Sequence, residues 1–99
     1  LDNYWLKKVP DTHERLKFIL ASYNVGLSHV VDARRLAEKY GKNHEVWFDH
    51  VEYYLSRKSE PEFYRDPIVT AGYCKCEEPI NYVRDILDRY EEYKIHIAS

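Results

Sequence analysis

The sequence predicts an all-α fold, and three observations predict it. Apolar residues recur at three- and four-residue spacing in separate segments, glycine or proline stops stand between those segments, and 99 residues suffice for one compact domain. With 44% hydrophobic and 32% charged residues, the chain can bury a core and keep a soluble surface.

Residues 1–8 read as the end of a helix stopped by Pro10, which restricts its predecessor and has no N–H to donate. Asp11-Thr12-His13-Glu14 has the spacing of an N-cap with an acidic partner three residues later. Leu16, Ile19, Leu20 and Tyr23 then share one helix face, and the helix ends near Gly26. Ser28 is placed to cap the next helix, whose apolar positions Val30, Ala33, Ala37 and Tyr40 run to a stop at Gly41. Residues 44–55 predict a third helix, with Val46, Trp47, Val51, Tyr54 and Leu55 on its apolar face.

Between Ser56 and Cys76 the periodicity breaks at Pro61, Pro67 and Gly72. Phe63, Tyr64 and Tyr73 argue that this long connection is ordered and packs down, as long loops in compact domains do when they serve a site. Residues 77–96 predict the longest helix, from Ile80, Val83, Leu87 and Tyr90, with Pro79 tolerated in its first turn. No internal repeat appears, which disfavours a helical solenoid.

Lys plus Arg number 15 against 17 Asp plus Glu, with no block of like charge, so nucleic acid is not an expected partner. No apolar run reaches the 18 residues of a membrane span, and the first residues lack the features of a signal peptide. The absence of methionine implies that the sequence, as written, does not start at a translation start. Cys74 and Cys76 stand two apart, poorly placed for disulfide geometry, and are expected as free thiols. His13, His29, His44, His50 and His96 show no ligand spacing, so no metal site is expected.

Chemistry concentrates in two short stretches. Phe18-Ile19-Leu20-Ala21-Ser22-Tyr23-Asn24-Val25-Gly26 ends an apolar helix in a Tyr-Asn pair, which taken alone is a core aromatic and a local cap. It also resembles the Ala-Ala-Tyr-Asn-x-Gly motif of the lytic transglycosylases of the goose-lysozyme-like superfamily. His29-Val30-Val31-Asp32-Ala33-Arg34 is similar to the stretch that follows this motif in the membrane-bound F type, where a tryptophan often falls at the place of Trp47. Glu78-Pro79-Ile80-Asn81-Tyr82-Val83, after Gly72-Tyr73, resembles the family's Glu-x-x-x-Tyr-Val at the start of a closing helix. The three stretches come in register, and the resemblance runs from Leu16 to about Tyr93.

That resemblance implies the C-terminal portion of a lysozyme-like helical domain, a single helical piece over residues 1–99. The implied reaction is cleavage of the β-1,4 bond between N-acetylmuramic acid and N-acetylglucosamine, with the muramic 6-hydroxyl closing an anhydro ring. One glutamate acts first as acid and then as base, with no cofactor. In the family that glutamate precedes a Gly-Leu-Met-Gln type segment, which does not occur here, so no catalytic residue is assigned to this chain and the isolated piece is expected to be inactive. Two adjacent glutamates at a helix start, Glu77 and Glu78, are more often simple dipole-favourable charges than a replacement acid.

The family match makes Tyr23, Asn24, Glu78 and Tyr82 substrate-binding residues on one wall of a glycan groove. Tyr23 would lie near the missing acid, Asn24 would contact substrate or fix the turn, and Glu78 would support the groove. Cys76 departs from a common family glycine. Implied partners are peptidoglycan strands and the upstream part of the same protein, with self-association through the face left uncovered; the implied location is the periplasm, at the outer membrane. A non-catalytic helical module binding peptidoglycan or a protein is the alternative reading.

Overall fold

The computed structural model describes residues 2–98, with side chains described through Glu91. Leu1, the first residue of the predicted opening helix, lies outside the described residues. The fold is all-α: α1 (Asp2–Leu6), α2 (Thr12–Val25), α3 (Leu27–Lys39), α4 (Glu52–Ser56), α5 (Pro61–Tyr64) and α6 (Glu77–Ala98). No strand occurs among the described residues.

Asp11 caps α2 as its spacing predicts, its side chain accepting the Glu14 N–H at 2.9 Å. Glu14 does not complete the reciprocal box. Its carboxylate instead accepts the Trp47 backbone N–H at 2.8 Å and the Lys17 ammonium at 2.6 Å, tying the start of α2 to a segment 33 residues away. The helix ends at Gly26, whose φ of 102° lies where a side chain is strained. That one residue closes α2 and opens α3, so Ser28 lies inside α3 and does not cap it. A single glycine turns the chain more tightly than a separate stop and cap would.

The predicted helix over residues 44–55 is replaced by a kinked turn followed by a short helix. Across Trp47–Val51 the backbone leaves helical geometry at Phe48 and at Asp49, which has φ 63°, and only Glu52–Ser56 is α-helical. Trp47, Val51, Tyr54 and Leu55 are buried as the apolar spacing predicts, with Val46 half-buried, but the backbone turns at the two residues after Trp47, whose N–H is given to Glu14. The connection after Ser56 is ordered: a 3₁₀ turn at Arg57–Ser59 and α5 punctuate it, and Phe63 packs against Tyr40 and Tyr54 at centroid distances of 5.6 and 6.0 Å.

The core is an aromatic ladder within an aliphatic shell. Trp5 meets Phe18 at 5.1 Å and Phe18 meets Trp47 at 5.2 Å, with Val30, Ala33, Leu36, Leu55, Val83 and Leu87 also buried. On α2 the buried apolar positions are Phe18 and Ala21; Leu16, Ile19 and Leu20 are half-buried, and Tyr23 is 76% exposed. The predicted face was therefore offset from the one that the core uses. Helix α2 packs on both α3 and α6, which brings the C-terminal end of α2 beside the first turns of α6. No helix among the described residues is long and apolar enough to cross a membrane.

Candidate functional site

Tyr23, Asn24 and Tyr82 line one open depression of about 160 Å³. Tyr23 and Asn24 come from the last turn of α2, and Tyr82 from the second turn of α6, 59 residues further along the chain than Tyr23. Because Val83 is fully buried and Tyr82 is its neighbour, the packing that seats α6 on the core leaves Tyr82 turned to the surface, 39% exposed. Tyr23 is likewise an exposed ring on a helix whose other side carries Phe18 and Ala21 into the core. It is not a core aromatic, and the turn beside Asn24 is capped by the Gly26 N–H, which donates to the Ser22 carbonyl at 3.0 Å.

Glu78 stands one turn before Tyr82 on α6, is exposed, and is not among the residues lining the depression. The structure thus gathers three of the four residues named by the resemblance and leaves the fourth beside them. The arrangement offers two phenol rings as apolar platforms, two hydroxyls and an amide. That combination suits a sugar, which presents both C–H faces and hydroxyls.

A larger cleft of about 370 Å³ lies between α1, α2 and α6, lined by Asp2, Thr12, His13, Arg15, Leu16, Ile19 and Tyr90. Its most basic group is already committed: Arg15 donates to Asp2 at 2.9 Å and to the carbonyls of Val9 and Pro10 at 3.1 and 3.0 Å. It contains none of Tyr23, Asn24, Glu78 and Tyr82. The smaller depression is the better candidate, because residues distant in sequence but shared by the resemblance converge there.

The connection that leads into α6 is held by a buried ion pair that sequence reasoning missed. Lys58 Nζ donates to Asp32 Oδ2 at 2.8 Å and lies 2.7 Å from His29 Nδ1. Asp32 also accepts the backbone N–H groups of Thr70 and Ala71, both at 2.8 Å, and the Thr70 hydroxyl at 3.1 Å. Burial pushes the Asp32 carboxyl up, but the hydrogen bonds from Lys58, Thr70 and Ala71 together outweigh it and hold the group below its ordinary value. Burial draws Lys58 down, against the pull of Asp32. His29 is drawn down first by burial and then by the Lys58 charge. Every acceptor position of Asp32 is filled, so this cluster supports the loop rather than offering a free reactive group. Asp32 stood within a motif stretch, yet nothing in the sequence pairs it with a lysine 26 residues away.

A second missed device joins α4 to α6. Arg84 donates from Nε and Nη2 to the two oxygens of buried Glu52 at 2.8 and 2.6 Å, and its guanidinium lies 4.6 Å from the Phe48 ring centroid. Lys17 approaches the same ring at 4.5 Å.

The expectation of two free thiols is overturned: Cys74 and Cys76 form a disulfide. Their Cα atoms lie 5.4 Å apart, inside the range that a disulfide spans. Residues two apart can reach that separation, so closeness in sequence is no bar.

No protein-family model matches the chain. Curated proteins named membrane-bound lytic murein transglycosylase F do. That of Photobacterium profundum is 39% identical over 89 residues, covering 87% of this chain and 17% of that protein. That of Maricaulis maris is 40% identical over 96 residues, covering 94% of this chain and 20% of that protein. The Pectobacterium atrosepticum protein is 39% identical over 87 residues, covering 85% of this chain and 18% of that protein. The chain therefore spans a fifth or less of these curated relatives, and over most of its own length it is similar to a segment of the membrane-bound lytic murein transglycosylase F proteins.

Proposed function

We propose that this chain forms one wall of the glycan groove of a peptidoglycan lytic transglycosylase, a single helical piece that works with a part of the protein outside these 99 residues. The observation that carries the reading is the convergence of Tyr23, Asn24 and Tyr82 on one depression, with Glu78 at its edge, in a chain similar to murein transglycosylases.

In this reading the tyrosine rings stack against the sugar, Asn24 hydrogen-bonds it, and Glu78 orients groups at the rim. The proton transfers at the bond between N-acetylmuramic acid and N-acetylglucosamine belong to a glutamate supplied from outside this chain. That glutamate protonates the leaving oxygen and then removes the proton of the muramic 6-hydroxyl as the 1,6-anhydro ring closes. The relatives' names place them at a membrane, which supports a cell-envelope location for this protein; in this reading its groove works on the periplasmic side of the outer membrane.

The test is release of anhydromuropeptides from peptidoglycan, read by mass spectrometry. It is run on this chain, on a chain extended upstream, and on that extended chain with its candidate glutamate changed to Gln. Product is expected only from the unmodified extended chain, since loss of the acid alone costs about 10² to 10⁴ in rate. Turnover by the 99 residues alone, abolished by Glu78→Gln, would place the acid at Glu78. An extended chain that binds peptidoglycan without cleaving it would make the protein a binding module.

A further inference from the structure

Cys74 and Cys76 bracket the entry into α6. The Cys76 carbonyl accepts the Ile80 N–H at 3.4 Å, the first bond of the helix that carries Glu78 and Tyr82. The Cys74 N–H donates to the Lys58 carbonyl at 3.2 Å, and Lys58 is anchored through its side chain to Asp32. The disulfide therefore joins two hydrogen bonds, one to the anchored connection and one to the helix start, into a single stiff element. Beyond it, Val83 and Leu87 pin α6 to the core independently.

We infer that the Cys74–Cys76 bridge is a reducible lock on the first turn of α6, fixing Glu78 and the approach to Tyr82 when closed and releasing that turn when opened. A cross-link across so short a loop restricts the unfolded chain little, so the bridge contributes little to holding the whole domain together. Its effect is local, on the backbone between Lys58 and Ile80.

Opening is a thiol–disulfide exchange with an external dithiol. One thiolate of the dithiol attacks Sγ of Cys74, 7% exposed against 2% for Cys76, and expels the Cys76 thiolate, which takes up a proton. The second thiol of the dithiol then attacks the mixed disulfide. Cys74 leaves as a thiol and the dithiol is oxidised to its own disulfide, so two electrons and two protons pass to the protein.

The experiment uses dithiothreitol on the whole chain, with thiol titration of unfolded samples and amide hydrogen exchange of folded ones. Before reduction no free thiol is expected, and after it two. On reduction the amides of Cys74 and Ile80 should exchange about tenfold faster, while those of Val83 and Leu87 keep their protection. The Cys74→Ser, Cys76→Ser double variant should show the faster pattern with or without reductant. Two titratable thiols before reduction would overturn the proposal, as would equal protection of Cys74 and Ile80 in both states. Uniform loss of protection through Val83 and Leu87 in the reduced protein would overturn it too, by making the bridge a global staple.

Discussion

Lys58 Nζ lies 2.8 Å from Asp32 Oδ2 with neither side chain reaching solvent, so a helix and a distant turn share one fully desolvated ion pair. Breaking such a pair leaves a buried charge without its partner. Lys58→Met should destabilise the chain by about 3–5 kcal/mol in urea unfolding. Asp32→Leu combined with Lys58→Met removes both charges, yet it also strands the Thr70 and Ala71 N–H groups that Asp32 accepts. The double variant should therefore recover only part of the loss. A Lys58→Met variant as stable as the parent would show that the pair does not hold the connection.

Acid should weaken the fold in two stages. The folded-state pKa of His29 lies below its ordinary 6.5, so the unfolded chain takes up that proton first, and stability falls as pH drops below 6.5 toward the folded value. Asp32 and Asp66 are also held below their ordinary 3.8, Asp66 chiefly by its hydrogen bond from Lys39. Their contribution is present above 3.8 and is lost as pH falls from there through the folded values. Thermal midpoints measured from about pH 7 to about pH 3 should thus decline first gently and then steeply. His29→Gln should flatten the first decline and leave the second; an unchanged first decline would assign it to another group.

The residues of the proposed groove should separate stability from function. Tyr23 at 76% and Tyr82 at 39% exposure lie on the surface, so Tyr23→Ala should shift unfolding by no more than about 0.5 kcal/mol, and Tyr82→Ala by little more. In the active, extended protein each should lower kcat/KM on peptidoglycan by about tenfold, equivalent to about 1.4 kcal/mol of lost interaction. Full activity in both variants would remove these rings from the site.

Sequence patterning reached the helices whose ends carry strong chemistry and stopped where tertiary contacts decide. Asp11, Gly26, Pro79 and Gly41 announce α2, α3 and α6 because capping and chain reversal depend on the nearest few residues. The kink at Phe48 and Asp49 was invisible, as was the bond beside it in which Glu14 accepts the Trp47 N–H across 33 residues. Of the candidate site, Tyr23, Asn24 and Tyr82 were legible from the motifs, and their meeting in space was expected from the same resemblance. Asp32–Lys58 and Glu52–Arg84 were not, because partners in a buried pair carry no local spacing rule. The disulfide was misjudged on the closeness of the two cysteines in sequence, when the Cα separation is what governs closure.

The Glu52–Arg84 fork gives a separate test of how α6 is seated. Glu52 is buried and both its oxygens are engaged, while Arg84 is about half exposed, so solvent screens part of the attraction. Glu52→Gln keeps the shape but replaces one acceptor with a donor facing Arg84. A loss of about 1–2 kcal/mol is expected, with faster amide exchange in α4. Arg84→Lys should also lose stability, because an ammonium cannot make the two parallel bonds to Glu52. Equal stability of Arg84→Lys and the parent would reduce the fork to a simple charge contact.

The two buried tryptophans should respond differently to the same substitution. Both rings are fully buried in the ladder around Phe18, so Trp→Phe removes a comparable amount of packed apolar surface from each. They differ in the indole N–H. Trp5 Nε1 donates to Ser22 Oγ at 3.1 Å, and that hydroxyl donates its own proton to the Phe18 carbonyl at 2.7 Å. Trp47 Nε1 has no hydrogen-bond partner among the described residues. Trp5→Phe therefore breaks a buried bond in addition to opening a cavity, whereas Trp47→Phe opens a cavity but removes a donor that was unsatisfied. The difference between the two losses should be about 1–3 kcal/mol, with Trp5→Phe the more destabilising. Chemical unfolding of the two variants with a shared m-value checks it. If Trp47→Phe proves as costly as Trp5→Phe, the Trp47 indole is held by more than its packing.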